Sequence, residues 1–130
     1  MRIASTITAM IIAGSALLFN ACSTPVAVNS NSEPVAKWRA GVLYGQLAGD
    51  YQSVFRAVNK SLDELGFIRM GEIPEKTAMT FVAREVGDKR VQVRLTRSGD
   101  QANVIKLRIA YDTGDLPKSQ IIFNKVASNL

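Results

Sequence analysis

The sequence has no histidine and a single cysteine among its 130 residues. Without histidine it lacks the commonest general base and the commonest metal ligand. It also has no Ser-x-x-Lys pair, no glycine-rich phosphate loop and no carboxylates at metal-binding spacing. One cysteine cannot form an intramolecular disulfide, so the fold must rest on its hydrophobic core. We therefore predict a protein that is not an enzyme and that holds no cofactor and no metal.

The net charge of the chain is also small. Lysine and arginine number 16 against 11 aspartate and glutamate residues, which gives a formal net charge of +5. This excess favours solubility and weak attraction to anionic surfaces, but it is too small to indicate binding to nucleic acid. The length of the chain fits one domain and excludes a second.

The first 22 residues have the three-part layout of a secretory signal. Arg2 gives a positive start, an uncharged apolar run covers Ile3–Phe19, and small or polar residues close the segment at Asn20-Ala21-Cys22. Because a cysteine stands at the cleavage position, the segment resembles a bacterial lipoprotein signal.

That resemblance implies that residues 1–21 are removed and that Cys22 becomes an acylated N-terminus, with a diacylglyceryl group and a further chain such as palmitate. Acyl chains contribute about 0.8 kcal/mol per buried methylene, so several chains hold a protein firmly in a membrane. Ser23 stands where aspartate would mark an inner-membrane lipoprotein, which implies the outer membrane, facing the periplasm. Two alternatives stay open: an uncleaved membrane helix, and a plain secretory signal that leaves Cys22 as a free thiol.

The rest of the chain divides into a linker and one domain. Residues 22–36 are rich in Ser, Asn and Pro and lack periodicity, which predicts a flexible tether after the acylated cysteine. Residues 37–130 are predicted to form a periplasmic domain. Runs of β-branched and apolar residues predict its strands at Trp38–Ala48, Phe67–Ile73, Met79–Val86, Arg90–Arg97 and Val104–Tyr111.

Two helices are predicted from apolar stripes and capping residues. Asp50 caps residues 51–65, and Gly66 ends that helix. Asp115 caps a closing helix with Pro117 in its first turn. Since each helix has one apolar stripe, we predict an α+β two-layer sandwich: a mainly antiparallel sheet of about five strands, in the order β-α-β-β-β-β-α, with both helices packed on one face.

The apolar pattern also predicts the strand register, because side chains directly opposite each other lie on the same side of a sheet. The expected pairs are Leu95 with Ile105, Val93 with Leu107, Val91 with Ile109, Leu95 with Phe81 and Val93 with Ala83. The last two pairs imply a three-residue turn at Gly87-Asp88-Lys89.

Several features of the chain occur in combination. The N-terminal part has the lipoprotein-type cysteine and the low-complexity linker. The domain has a glycine and a leucine in its first strand, a helix that ends in Leu-Gly, three plain strands and a closing helix with spaced apolar residues. The residues concerned are Cys22, Gly45, Leu47, Leu65, Gly66, Ser119, Ile122, Val126 and Leu130. Over residues 41–130 the chain resembles a family of small Gram-negative lipoproteins of unknown function. The resemblance implies an envelope lipoprotein and supplies no established activity or site residues.

The sheet face opposite the helices is predicted to be basic. It carries Arg84, Arg90, Arg94, Lys106 and Arg108, and the register sets Arg94 directly opposite Lys106. Like charges opposite each other are destabilising unless water, acids or an anionic partner relieve them. The face is therefore either a solvated surface or a docking surface for an anion. Trp38 and Tyr44 are expected to pack in the core rather than to form a contact site.

We expect the protein to act by binding. The first hypothesis is a structural or assembly lipoprotein that meets a protein partner in the envelope. The alternative is a module that binds an anionic glycan or lipid, such as lipopolysaccharide, a phospholipid headgroup or peptidoglycan, through the basic sheet face. Both hypotheses include contact with the membrane through the N-terminal lipid, and neither includes nucleic acid.

Overall fold

The computed structural model describes residues 24–26, 36–97, 99 and 103–130, which form an α+β fold around one antiparallel sheet. The elements are β1 (Thr24–Val26), β2 (Ala36–Arg39), β3 (Val42–Ala48), α1 (Tyr51–Glu64), β4 (Ile68–Pro74), β5 (Ala78–Glu85), β6 (Lys89–Arg97), β7 (Val104–Tyr111) and α2 (Leu116–Ser128). The described strands are seven, in the spatial order β1-β2-β3-β7-β6-β5-β4. The predicted α+β class with two helices is confirmed, and the estimate of about five strands is close.

The predicted first strand is in fact a hairpin of β2 and β3. Arg39 pairs with Val42, so the turn has two residues, Ala40 and Gly41. Both lie in the left-handed region, with φ of 51° and 77°, as a tight hairpin turn between right-twisted strands requires. A glycine suits the second position, but the Ala-Gly pair is a weaker turn signal than Asn-Gly, and the prediction of one continuous strand was therefore wrong.

Part of the predicted tether belongs to the sheet. Thr24–Val26 form β1, which pairs antiparallel with β2 through Thr24 and Trp38 at one end and Val26 and Ala36 at the other. Ala36 is buried. The other residues of the predicted tether, together with the predicted signal peptide at residues 1–21, lie outside the described part of the chain.

Both helices begin where their capping residues predict. Asp50 Oδ1 accepts a hydrogen bond from the Ser53 backbone N–H at 2.6 Å, and Asp115 Oδ1 accepts one from the Lys118 backbone N–H at 3.0 Å. Each carboxylate thereby satisfies a backbone donor that has no partner inside the helix. After α1 the chain turns at Gly66, whose φ is +80°.

The helices cover one face of the sheet, here called the inner face. Side chains of both layers meet in a dry core that includes Leu43, Val93, Leu107, Ile109, Val58 and Phe123. Phe123 of α2 lies directly on Gly45 of β3, where a Cβ atom would stand 2.2 Å from the ring. The two helices are also joined to each other, since Asn129 Nδ2 donates to Ser61 Oγ at 2.9 Å.

The predicted register is wrong by two residues. The observed partners of Leu95, Val93 and Val91 on β7 are Leu107, Ile109 and Tyr111, and the partners of Leu95 and Val93 on β5 are Met79 and Phe81. A shift by two keeps every side chain on its face, so the apolar pattern could not exclude it.

The turn between β5 and β6 has the predicted three residues, but they are Val86-Gly87-Asp88. Lys89 is therefore not in the turn. It stands opposite Glu85, and this cross-strand pair of opposite charges favours the observed register.

Candidate functional site

The sheet face opposite the helices, here called the outer face, carries a row of three cations and one tyrosine across four neighbouring strands. Lys37 of β2 is opposite Tyr44 of β3, Tyr44 is opposite Arg108 of β7, and Arg108 is opposite Arg94 of β6. Neighbouring strands lie about 4.8 Å apart, so this row extends for roughly 14 Å. Lys106 lies one outward-facing position further along β7, between Gln46 and Thr96.

These side chains surround a shallow space of about 540 Å³, which we call the basic concavity. Its lining consists of the side chains of Lys37, Tyr44, Gln46, Arg94, Thr96, Lys106 and Arg108, with Gly45 and Leu107 beneath them. The lining contains four cations and no carboxylate. The concavity is therefore a surface of one charge sign, open to solvent.

Arg94 is held in place from one side only. Its Nη2 atom lies 2.5 Å from Glu75 Oε2, and Glu75 is itself positioned by a turn in which its backbone N–H donates to the Ala78 carbonyl at 2.8 Å. The Nε atom of Arg94 is buried and has no hydrogen-bond partner among the described residues. An unsatisfied buried donor is unfavourable. The guanidinium has further N–H donors besides the one that meets Glu75.

Arg108 packs beside the one aromatic ring of the concavity. Its guanidinium carbon lies 5.8 Å from the centroid of the Tyr44 ring, and its Nε lies 3.5 Å from the Tyr44 hydroxyl. The ring is 41% exposed. The expectation that Tyr44 packs in the core was therefore wrong, because it points outward, whereas Trp38 on the alternate position packs against the core.

The five predicted basic residues fall into two groups. Arg94, Lys106 and Arg108 line the concavity. Arg84 and Arg90 lie opposite each other near the end of β5 and β6, outside it, and Arg84 Nη1 is 3.3 Å from Asp88 Oδ1. The predicted contact of Arg94 with Lys106 is wrong, because the two-residue shift places Arg108 opposite Arg94. The result is still a pair of like charges.

Lys37 is the cation that sequence reasoning missed. It was not considered, because the first strand was expected to begin at Trp38. Recognition of the Ala40-Gly41 turn would have revealed β2, and alternation along β2 places Lys37 on the same face as Tyr44.

A separate polar cluster closes the inner face at the end of β5. The Tyr111 hydroxyl donates to Glu85 Oε2, and Lys118 Nζ lies 3.1 Å from Glu85 Oε1. The hydrogen bonds from Tyr111 and Lys118 lower the pKa of Glu85, while burial and the Glu85 charge raise the pKa of Tyr111 to about 12. This cluster links α2 to the sheet and satisfies its own groups.

The described residues hold no group of three or more Cys, Asp or Glu side chains that could bind a metal ion. Within the same ranges no helix has the length and apolar character needed to cross a membrane. The chemistry that the lining of the concavity offers is recognition of negative charge by guanidinium and ammonium groups.

The sequence matches a family described as "Protein of unknown function (DUF3568)" over residues 5–129. The chain belongs to this family. Membership confirms the expectation of a family of unknown function, and the match extends beyond the residues on which the resemblance was drawn. The family description names no activity, no lipid anchor and no source, so these stay predictions. A search of curated proteins found no match.

Proposed function

We propose that the protein is an outer-membrane lipoprotein, acylated at Cys22 and facing the periplasm, that binds an anionic envelope ligand in the basic concavity. One observation carries the proposal: four cations line the concavity and no carboxylate does. On a solvated face without a role, interspersed acids would relieve the repulsion between Arg94 and Arg108. Glu75 relieves it in part and leaves the remaining cations to a ligand.

The ligand that fits best is a sugar bearing phosphate. Arginine offers a planar fork that binds phosphate through two parallel hydrogen bonds. The position of Arg94 directly opposite Arg108 supports this choice. The exposed ring of Tyr44 provides a flat apolar surface beside them. A volume of about 540 Å³ suits a headgroup or a short glycan rather than a long polymer.

The test is a calorimetric titration of the full chain, purified in detergent, with lipopolysaccharide and with soluble peptidoglycan fragments. The first ligand presents phosphate on sugar and the second presents carboxylate, so the two arms separate the sources of negative charge. We expect lipopolysaccharide to bind with an affinity that falls as salt rises. The triple variant Arg94→Gln, Lys106→Gln, Arg108→Gln should lose roughly tenfold or more, since a hydrogen bond to a charged group contributes ~1.5–3 kcal/mol.

The matched control is the double variant Arg56→Gln, Lys60→Gln, which removes two exposed cations from helix α1, on the other side of the sheet from the concavity. It should retain the affinity of the unmodified chain. Equal losses in the two variants would show a diffuse charge effect and contradict a defined site. Unchanged binding in the triple variant would remove the proposal.

Assembly with a protein partner is the second candidate, and the edge strand β4 favours it. All seven of its residues are exposed, and Ile68, Met70 and Ile73 are 48–52% exposed. An edge strand with apolar side chains presents backbone groups that can pair with another chain. This candidate stands if neither anionic ligand binds.

A further inference from the structure

One end of the sheet, here called the turn end, gathers several chain segments. The tight turn Ala40-Gly41, the turn Val86-Gly87-Asp88 and the end of β7 all lie there, because Arg39, Val42, Ala110 and Gln92 form one row of paired residues just inside it. Two contacts confirm the grouping. The Asp112 backbone N–H donates to the Arg90 carbonyl at 2.7 Å, and a Cβ at Gly114 would meet Gly41 Cα at 3.0 Å.

The chain enters the domain at this same end. Strand β2 runs toward the turn end, so the antiparallel β1 runs away from it and its first residue, Thr24, is the one nearest to it. Only Ser23 separates Thr24 from Cys22. Two residues of chain span at most about 7 Å, so the proposed lipid-bearing residue is tied close to the turn end.

The turn end also has the surface chemistry of a membrane contact. Val86 is 84% exposed at the tip of its turn, the largest exposure of any large hydrophobic side chain described. Three exposed cations flank its turn, Arg84, Lys89 and Arg90, and Arg39 lies at the same end of the sheet on β2. The acids nearby are Glu85, which is bound to Lys118, Asp88, which pairs with Arg84, Asp112, and Asp115, which caps α2. Cations around an apolar tip favour anionic lipid headgroups, at about 1 kcal/mol per Lys or Arg near the surface.

We infer that the turn end docks on an anionic phospholipid surface, with Val86 at the level of the headgroups and the strands standing upright on the membrane. This inference rests on the lipid anchor at Cys22 that forms part of the proposed function. In this orientation the domain is held at a fixed height above the membrane surface, whereas a flexible tether would leave its height variable. Arg94 lies four residues from Arg90 along β6, so the basic concavity opens sideways roughly 13 Å above the first row of arginines.

The test uses a fluorophore whose emission reports water exposure, placed in turn at each end of β5. Val86→Cys and Thr77→Cys each supply a thiol for labelling, at two exposed turn positions roughly 30 Å apart. The acylated full chain is reconstituted in vesicles of phosphatidylcholine with and without phosphatidylglycerol. When phosphatidylglycerol is present, we expect the emission of the label at position 86 to shift to the blue and to be quenched by a lipid-borne quencher. The emission of the label at position 77 should remain that of a label in water.

The charge contribution is tested by Arg84→Gln, Lys89→Gln and Arg90→Gln together, which should reduce the blue shift at position 86 to the value in phosphatidylcholine alone. A label at position 86 as accessible to water as the one at position 77 would overturn the inference. The intact mass of the membrane-extracted protein separates this failure from failure of the anchor. Acyl chains on a chain beginning at Cys22, with an aqueous label at position 86, would leave the anchor standing and remove the docked orientation; absence of acyl chains would remove both.

Discussion

The two faces of the sheet are built from alternating residues of the same strands, but one face is apolar and buried, and the other is polar and carries cations. On the inner face, Val93 and Ile109 are fully buried beneath the helices. On the outer face, their neighbours Arg94 and Arg108 are only partly buried. The comparison teaches that core packing and the proposed ligand binding fall on alternate positions of one segment. Substitutions on the two faces should therefore separate the free energy of unfolding from ligand affinity.

The largest effect is expected from Phe123→Ala on the inner face. The ring is fully buried, and its removal leaves a cavity, so the free energy of unfolding should fall by about 3–5 kcal/mol. Urea denaturation of the full chain in detergent measures this. The outer-face control Tyr44→Ala should change stability by less than about 1 kcal/mol and weaken ligand binding. Equal destabilisation by the two changes would break the comparison.

A smaller effect is expected at Gly45, where the two faces meet. Its missing side chain makes room for Phe123, and its backbone lies beneath the concavity. A Cβ would stand 2.2 Å from the ring, so Gly45→Ala should destabilise the fold by about 1–3 kcal/mol. In the Phe123→Ala background the same change should be much milder, as a double-mutant cycle would show. Additive effects would mean that the ring does not set the requirement for glycine.

The smallest effect concerns Tyr111, at the polar edge of the inner face. Burial and Glu85 raise its pKa from 10.0 to about 12 in the folded protein. A raised pKa means that the stabilisation is complete below pH 10 and is lost as pH rises through about 12. Thermal melts between pH 10 and about 12 should show a decline in melting temperature. The substitution Tyr111→Phe should reduce this decline. Glu85→Gln should lower the folded-state pKa of Tyr111, so the decline should be smaller and should end at a lower pH. An unchanged profile in both variants would contradict the assignment.

The helices could be predicted from sequence because their signals are local. Asp50 and Asp115 cap the turns that directly follow them, and Gly66 ends α1 within the same stretch of chain. Strands β4 to β7 were also found, since alternation of side chains is visible along each run, whereas β1 was assigned to the tether and the turn between β2 and β3 was missed. These elements need no knowledge of distant residues.

The register could not be predicted because it depends on distant pairs. A slip of two residues leaves Leu95 and Val93 buried, so only contacts such as Tyr111 with Glu85 decide it. The candidate site inherits this limit. Alternation placed Arg94, Lys106 and Arg108 on one face. Their position beside Lys37 in the lining of one concavity depends on the β2–β3 turn and on the order of four strands.

Strand β1 has a practical consequence for handling the protein. It covers the edge of β2, whose residues Ala36 and Trp38 are tied to the core. An expressed chain that starts at residue 37 would cut β2 and leave its edge open to strands of other molecules, which is a route to aggregation. A version without the lipid anchor should instead start at Ser23, so that β1 still pairs with β2 and covers its edge.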